Sequence, residues 1–233
     1  MNGFFVTATD TGVGKTVFTA ALAARLREAG HDVVAIKPIA SGAAVVGGRR
    51  VSADAMFLEW AARSGEALEA INPVLLAAPL APAVAARREG ITIVLECVIE
   101  RCRRTAERHE LALIEGVGGL LVPLTECETV ADLAAALGLP LVIVARPGLG
   151  TINHTLLTIE CARRHGLSVA GVAISGLPAA PGLAEQTSPA EIERLAGVPI
   201  LATIPYVPGL DVDAQNPADW SRVAAAIDLA HFL

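Results

Sequence analysis

Ala8-Thr9-Asp10-Thr11-Gly12-Val13-Gly14-Lys15-Thr16 stands between an apolar run at 4–7 and a helical pattern at 15–29. A strand, a glycine-bearing loop and a helix that opens on Gly-Lys-Thr have the form of a Walker A phosphate loop. Glycine lets backbone N–H groups curl around a phosphate, and the helix N-terminus adds a favourable dipole. Gly12, Val13 and Gly14 are the cradle of this reading. Lys15 reaches the outer phosphates, Thr16 offers a hydroxyl to Mg²⁺, and Val17 follows in the first helical turn. The usual spacing asks for Gly at position 9, where this chain has Thr9, so the loop is a variant.

Outward from the loop, short apolar runs alternate with helical patterns. The runs lie at 4–7, 33–36, 111–114, 141–145, 169–174 and 200–204. Helices are expected at 15–29, 53–63, 94–109, 130–137, 152–165 and 189–196, with a terminal one after Pro217. Several runs are continuously apolar, as strands buried on both faces are. Strands separated by helices pair in parallel through crossovers, so the expected fold is α/β: a doubly wound, mostly parallel sheet with helices on both faces, like that of P-loop NTPases. One domain over 1–233 is expected, because splitting this length would leave two poorly buried cores. Ligands of such sheets bind beyond the carboxyl ends of the strands.

Composition narrows the function classes. Hydrophobic residues make up 53% and charged ones 18%, which excludes a disordered chain. A net charge of −6 and an aromatic share of 3% argue against nucleic-acid or membrane-surface binding. No targeting segment is read near Met1, and the longest uncharged stretch, 166–184, is broken by glycines and prolines, so a soluble cytoplasmic protein is expected. Cys97, Cys102, Cys127 and Cys161 form no C-x-x-C pair and are read as ordinary buried residues, with no His at ligand spacing.

Lys15 and Lys37 are the only lysines among 18 basic residues. In so Arg-rich a chain, both positions point to a requirement for a compact ammonium. Lys37 ends the second strand before Pro38, with Ser41-Gly42 in the loop beyond. Asp54 opens a helix, where an acidic residue also simply suits the first turn. Glu115 closes Leu111-Ala112-Leu113-Ile114 as in a Walker B strand, with Glu for the usual Asp, and Gly116-Val117-Gly118 after it allow close backbone approach to a ligand. Thr16, Asp54 and Glu115 together offer oxygen ligands for Mg²⁺.

Five motifs in register resemble the dethiobiotin synthetase family: Thr9 to Thr16, Lys37-Pro38-Ile39-Ala40-Ser41-Gly42, Ser52-Ala53-Asp54-Ala55, Glu115-Gly116-Val117-Gly118-Gly119-Leu120-Leu121-Val122-Pro123, and Gly150-Thr151-Ile152-Asn153-His154. The resemblance runs from about Phe4 to Tyr206. It implies a homodimeric enzyme that closes a ureido ring on 7,8-diaminopelargonic acid with CO₂ (or bicarbonate), ATP as co-substrate and Mg²⁺. It implies catalytic roles for Lys37, Lys15 and Thr11, with Thr11, Lys37 and Ser41 at the diamine or its carbamate. Gly150 and Asn153 would meet the substrate carboxylate from the partner subunit. Nucleotide contacts would come from the phosphate loop, Asp54, Glu115 to Gly118, Ser175-Gly176 and Ile204-Pro205-Tyr206. Ser175-Gly176 stand where well-known members have Asn-Asp reading adenine, and a Ser hydroxyl cannot make the paired contacts of an amide.

Two rivals differ in sequence. An amidotransferase related to cobyrinic acid synthases would need a further glutaminase domain, for which this length leaves no room. A partitioning-type ATPase carries an extra Lys early in its loop (K-G-G-x-G-K-T), and none occurs at 8–11. A third alternative, a non-catalytic nucleotide-binding regulator, would have little need of Lys37, Asp54 and Glu115 together.

Overall fold

The computed structural model describes residues 1–210 and 220–233. In chain order its elements are β1 (Gly3–Ala8), α1 (Lys15–Glu28), β2 (Val33–Ile36), β3 (Ile39–Ser41), β4 (Ala44–Val46), β5 (Arg49–Val51), α2 (Ala53–Ala62), α3 (Leu68–Ile71), β6 (Val74–Leu76), α4 (Pro82–Glu89) and α5 (Leu95–Ala106). They continue with β7 (Leu111–Glu115), α6 (Val130–Leu137), β8 (Leu141–Ala145), α7 (Thr151–Arg164), β9 (Val169–Leu177), α8 (Leu183–Ala196), β10 (Ile200–Pro205) and α9 (Trp220–Ala224), then a 3-10 turn at Leu229–His231.

Six strands form one sheet in the order β10-β9-β8-β1-β7-β2, every neighbouring pair parallel. The chain winds from β1 outward to β2, returns to β7 beside β1, then crosses to β8 and proceeds to β10. The order therefore reverses around β1, which is where such sheets open a crevice. All six expected strands form. Their inward side chains alternate between faces: Val6 packs with Phe18, Leu22 and Phe57 on one side, while Phe5 packs with Ile114, Val98 and Leu133 on the other. A third cluster joins Ile143 and Ile174 to Ile159 of α7 and Ile192 of α8. The expected doubly wound α/β sheet is the observed one.

The departures are local. β3 pairs in parallel with β6, and β4 with β5 as an antiparallel hairpin; these three-residue strands are too short to show a pattern. α4 opens on Pro82 in a stretch read as having no element. α8 begins at Leu183, ahead of the expected start at Pro189. Proline favours a helix's first turn, yet here it lies inside, where it has no N–H to give to the ladder. The terminal helix is Trp220–Ala224; Pro217 lies outside the described residues. Only Cys102 is a buried cysteine, whereas Cys97 and Cys127 are exposed and Cys161 is half-buried. Cys161 also lies one helical turn from His165, with Sγ 3.8 Å from Nδ1, so a His does stand at i+4 spacing.

Phe57 of α2 is fully buried, stacked on Trp60 and edge-on to Trp220, both at 5.2 Å. This cluster fastens the C-terminal helix to the body of the fold. Phe57→Ala is expected to cost about 3–5 kcal/mol. Because Trp60 and Trp220 are the chain's two tryptophans, denaturant unfolding followed by intrinsic fluorescence measures it directly. An unchanged midpoint would remove the cluster's structural role.

Candidate functional site

Every strand of the main sheet delivers something to one edge. β1 runs into the phosphate loop, β2 ends at Lys37, β7 ends in Glu115, and β8 is followed by Arg146; β9 carries Ser175 near its end and β10 leads through Pro205 to Tyr206. With strands roughly 4.8 Å apart, Lys37 just beyond β2 and Ser175 on β9 are separated by about 19 Å of sheet width. The edge is thus graded, with charged chemistry at one end and a less polar recess at the other.

The loop from Thr9 to Gly14 has its shape for local reasons. Thr9 still donates its N–H to Val144 O at 3.0 Å, continuing the strand, so the position does not require glycine. Gly14 caps α1 with φ +96, and a Cβ there would meet Ser175 Oγ at 2.2 Å. Both the backbone angle and the close approach call for glycine. Asp10 Oδ1 accepts the N–H of Thr11 at 2.7 Å, and Lys15 Nζ donates to Asp10 O at 3.2 Å, so the loop is closed around its own lysine.

Beside it lies a buried charge cluster. Lys37, 3% exposed, places Nζ 2.5 Å from Glu115 Oε1 and 2.7 Å from Asp54 Oδ2. Glu115 is 0% exposed. Thr16 Oγ1 lies 3.1 Å from Asp54 Oδ1 and 2.9 Å from Glu115 Oε1, its single proton serving one at a time. Asp54 reaches this point because Ser52 caps α2, its Oγ accepting the Ala55 N–H at 3.2 Å. Burial alone pulls the Lys37 ammonium down, but Glu115 and Asp54 more than offset this and hold its pKa above the usual lysine value. Burial would raise the Asp54 pKa; the facing Lys37 outweighs it and keeps the carboxyl below the ordinary range. For Lys15 burial wins over the nearby carboxylates, and its pKa is lowered to about 8.

A cavity of about 390 Å³ is lined by Thr11, Gly12, Gly14, Lys15, Thr16, Val17, Lys37, Ser41, Asp54, Val117 and Gly118. A second, of about 200 Å³, shares Gly12, Gly14 and Val17 and adds Val13, Arg146, Ser175, Gly176, Ile204, Pro205 and Tyr206. The sequence-predicted nucleotide residues therefore fall into two joined recesses with the phosphate loop between them. Glu115, wholly buried, and Gly116 line neither recess. Gly116 lies beneath the cleft. Its N–H already donates to Val6 O at 2.9 Å, and a Cβ would press on Val130 and Phe5 at 3.0–3.2 Å, so packing alone calls for glycine here. Arg146 was not foreseen, although its place directly after β8 is the signal that marked Lys37 and Glu115. Gly150 and Asn153 line neither recess; both are exposed at the start of α7, where Gly150 is the cap. A third cleft, of about 450 Å³, continues from Thr11 past Leu120, Leu121 and Val122 to His154, Leu157 and Cys161.

The donor set suits a hard divalent cation. Two carboxylates and a hydroxyl converge, and Glu115 Oε2 is buried without a hydrogen-bond partner among the described residues. Among those residues no group of three or more His, Cys, Asp or Glu could hold a metal by itself, so Thr16 and a phosphate oxygen would have to complete the shell. The lowered Lys15 pKa has a consequence for binding. Its ammonium is complete below about pH 8 and is lost above, so affinity for ADP should fall as pH rises from about 7 to about 9.5, by at most about tenfold per unit. Calorimetric titration checks this: Lys15→Arg should flatten the profile, and a flat wild-type profile would contradict the assignment.

A family profile described as an AAA domain (AAA_26) matches residues 2–214. ATP-dependent dethiobiotin synthetase BioD of Anaeromyxobacter dehalogenans (strain 2CP-C) is 50% identical over 227 residues, covering 97% of this chain and 99% of that one. The protein of that name from Bacillus subtilis (strain 168) is 45% identical over 205 residues, covering 88% and 87%. Among solved structures, a ParA family ATPase from Chlorobium tepidum TLS has a TM-score of 0.58 at 16% identity, covering 97% of both chains. MinD of Aquifex aeolicus has 0.56 at 15%, covering 97% and 95%. These distant structures share the fold alone, whereas identity near one half along almost the full length is a family relationship: this chain belongs to the ATP-dependent dethiobiotin synthetases.

Proposed function

We propose that this chain, as one domain over 1–233, uses Mg²⁺ and ATP to carboxylate 7,8-diaminopelargonic acid and close its ureido ring. One amine adds to CO₂, loses a proton and becomes a carbamate. A carbamate oxygen attacks the γ-phosphorus of ATP, ADP departs, and a carbamic-phosphoric anhydride results. The second amine attacks its carbonyl carbon, expels phosphate and closes the ring. The observation that carries this reading is the seating of Lys37 Nζ between Glu115 and Asp54, beside the phosphate loop that holds Lys15.

Each residue has a part that its surroundings support. Lys15 and the N–H groups of Gly12 to Thr16 hold the phosphates. Lys37 neutralises the carbamate and the transferring phosphoryl group, a fixed charge that needs no solvent reorganisation. Thr11 and Ser41, on the same recess, position the diamine end. Thr16, Asp54 and Glu115 hold Mg²⁺, which when bound adds charge stabilisation on the phosphates. Ser175, Gly176, Ile204, Pro205 and Tyr206 receive the base. The apolar cleft beyond Thr11, walled by Leu120, Leu121 and Leu157, suits the aliphatic chain of the substrate.

Gly150 and Asn153 act in this scheme on the carboxylate of a substrate bound to the partner of a homodimer. Leu149, 91% exposed, and the exposed Leu157 and Leu121 supply apolar surface for such an interface. The cytoplasmic location rests on the exposed free thiols of Cys97 and Cys127, which suit a reducing compartment. Among the described residues no helix is long and apolar enough to cross a membrane. The partitioning-type alternative has only fold likeness behind it, at 16% identity.

Phosphate release from ATP should require both bicarbonate and the diamine; release that ignores the diamine would overturn the reading. Lys37→Ala should abolish turnover while leaving nucleotide affinity within several-fold, because Lys15 remains. It should also lower stability by about 3–5 kcal/mol, since Glu115 would be buried unpaired. Turnover surviving in a folded Lys37→Ala variant would remove Lys37 from the chemistry.

A further inference from the structure

Lys37 stands where the chain leaves one sheet for another. β2 belongs to the main sheet, Pro38 follows Lys37, and β3 then pairs with β6. A residue between two sheets has no ladder of its own to fix it. The structure supplies the missing restraints from one short segment. Lys37 donates its N–H to Ile71 O at 2.9 Å, and Val74 donates to Pro38 O at 3.1 Å. The Lys37 carbonyl is held by a side chain: Asn72 Nδ2 donates to it at 2.7 Å and, with its other hydrogen, to Val74 O at 3.0 Å. Asn72 is itself fixed, because it ends α3 with its N–H on Leu68 O at 2.7 Å, and it is buried.

We propose that Asn72 is a positioning residue for Lys37, its amide setting where the lysine backbone sits and so where the ammonium meets the transferring phosphoryl group. The chemistry of the position demands an amide. Two carbonyls face it, and a single side chain with two N–H groups reaches both. A hydroxyl would serve one carbonyl, and a carboxylate would repel both. Asn72 lines neither recess beside the phosphate loop, and among the described residues its side chain bonds only Lys37 O and Val74 O, so the loop's grip on nucleotide does not pass through it. This inference rests on the role given to Lys37 above, but its structural half is measurable without any reaction.

The chain's composition provides the probe. Lys15 and Lys37 are the only lysines, so protein labelled with ¹³C-lysine gives two ε-CH₂ signals, one for each site. In Asn72→Ala the Lys37 signal should move while that of Lys15 stays in place. In the same variant kcat should fall by about tenfold or more, a misplacement of about an ångström being able to cost 100-fold, while ADP affinity stays within about threefold. Asn72→Ser leaves a small polar group in place of a void; it carries the same expectations and serves if the alanine variant does not fold. An unmoved Lys37 signal, equal movement of both signals, kcat within about tenfold of wild type, or a loss of ADP affinity in proportion to kcat would each overturn the proposal. Retained turnover in Lys37→Ala would instead condemn the role of Lys37 and leave the Asn72 signal shift standing.

Discussion

A carboxylate with no access to water cannot stay charged unless something charged meets it. Glu115 is in that position at the end of β7, where the Lys37 ammonium meets it and the Thr16 hydroxyl adds a hydrogen bond. The arrangement is costly to assemble, since each ion gives up hydration worth several kcal/mol, and it persists only because the partners converge closely. Breaking it by removing one partner leaves a bare buried charge. That makes the cluster a constraint on everything around it: β2 must end level with β7, α2 must open at Asp54, and the phosphate loop must bring Thr16 to the same point.

The parallel sheet satisfies all of this through register. Ile36 pairs with Ile114, so the next residues along, Lys37 and Glu115, stand side by side at the strand ends. Val6 pairs with Glu115, so the loop after β1 begins just above the acid. On the far side Val144 is level with Ala8, and the edge continues into the recess of Arg146, Ser175 and Tyr206. A nucleotide lying along this edge would find cations and hydroxyls at its phosphate end and a less polar recess at its base. Function here follows from topology: the reversal of strand order at β1 opens the crevice, and residues at successive strand ends furnish it.

Much of this could be read from residue order alone, for physical reasons that also mark the boundary. Buried parallel strands are continuous apolar runs, so the run at 111–114 and the acid after it stood out, as did the two lysines in an Arg-rich chain. The short strands β3 to β6 carry no such run and are made by tertiary pairing. Pro189 misled because its usual place is a helix start. The packing need at Gly116 was hidden, because a glycine that packs and one that admits a ligand look alike until the neighbours, here Phe5 and Val130, are known. Cys161 and His165 stand four apart within the helix expected at 152–165, so their shared turn was legible from the sequence although the reading of no His at ligand spacing passed over it. Ser175, Gly176 and Ile204 to Tyr206 were named through resemblance, and Arg146 in the same recess was not, since a lone arginine after a strand has many ordinary explanations.

The most direct measurement is a crystal structure with Mg²⁺ and a non-hydrolysable ATP analogue. The account predicts Lys15 and Lys37 both within about 3 Å of phosphate oxygens, with Thr16, Asp54 and Glu115 around the cation. Lys37 turned away from a triphosphate seated in the loop would contradict it.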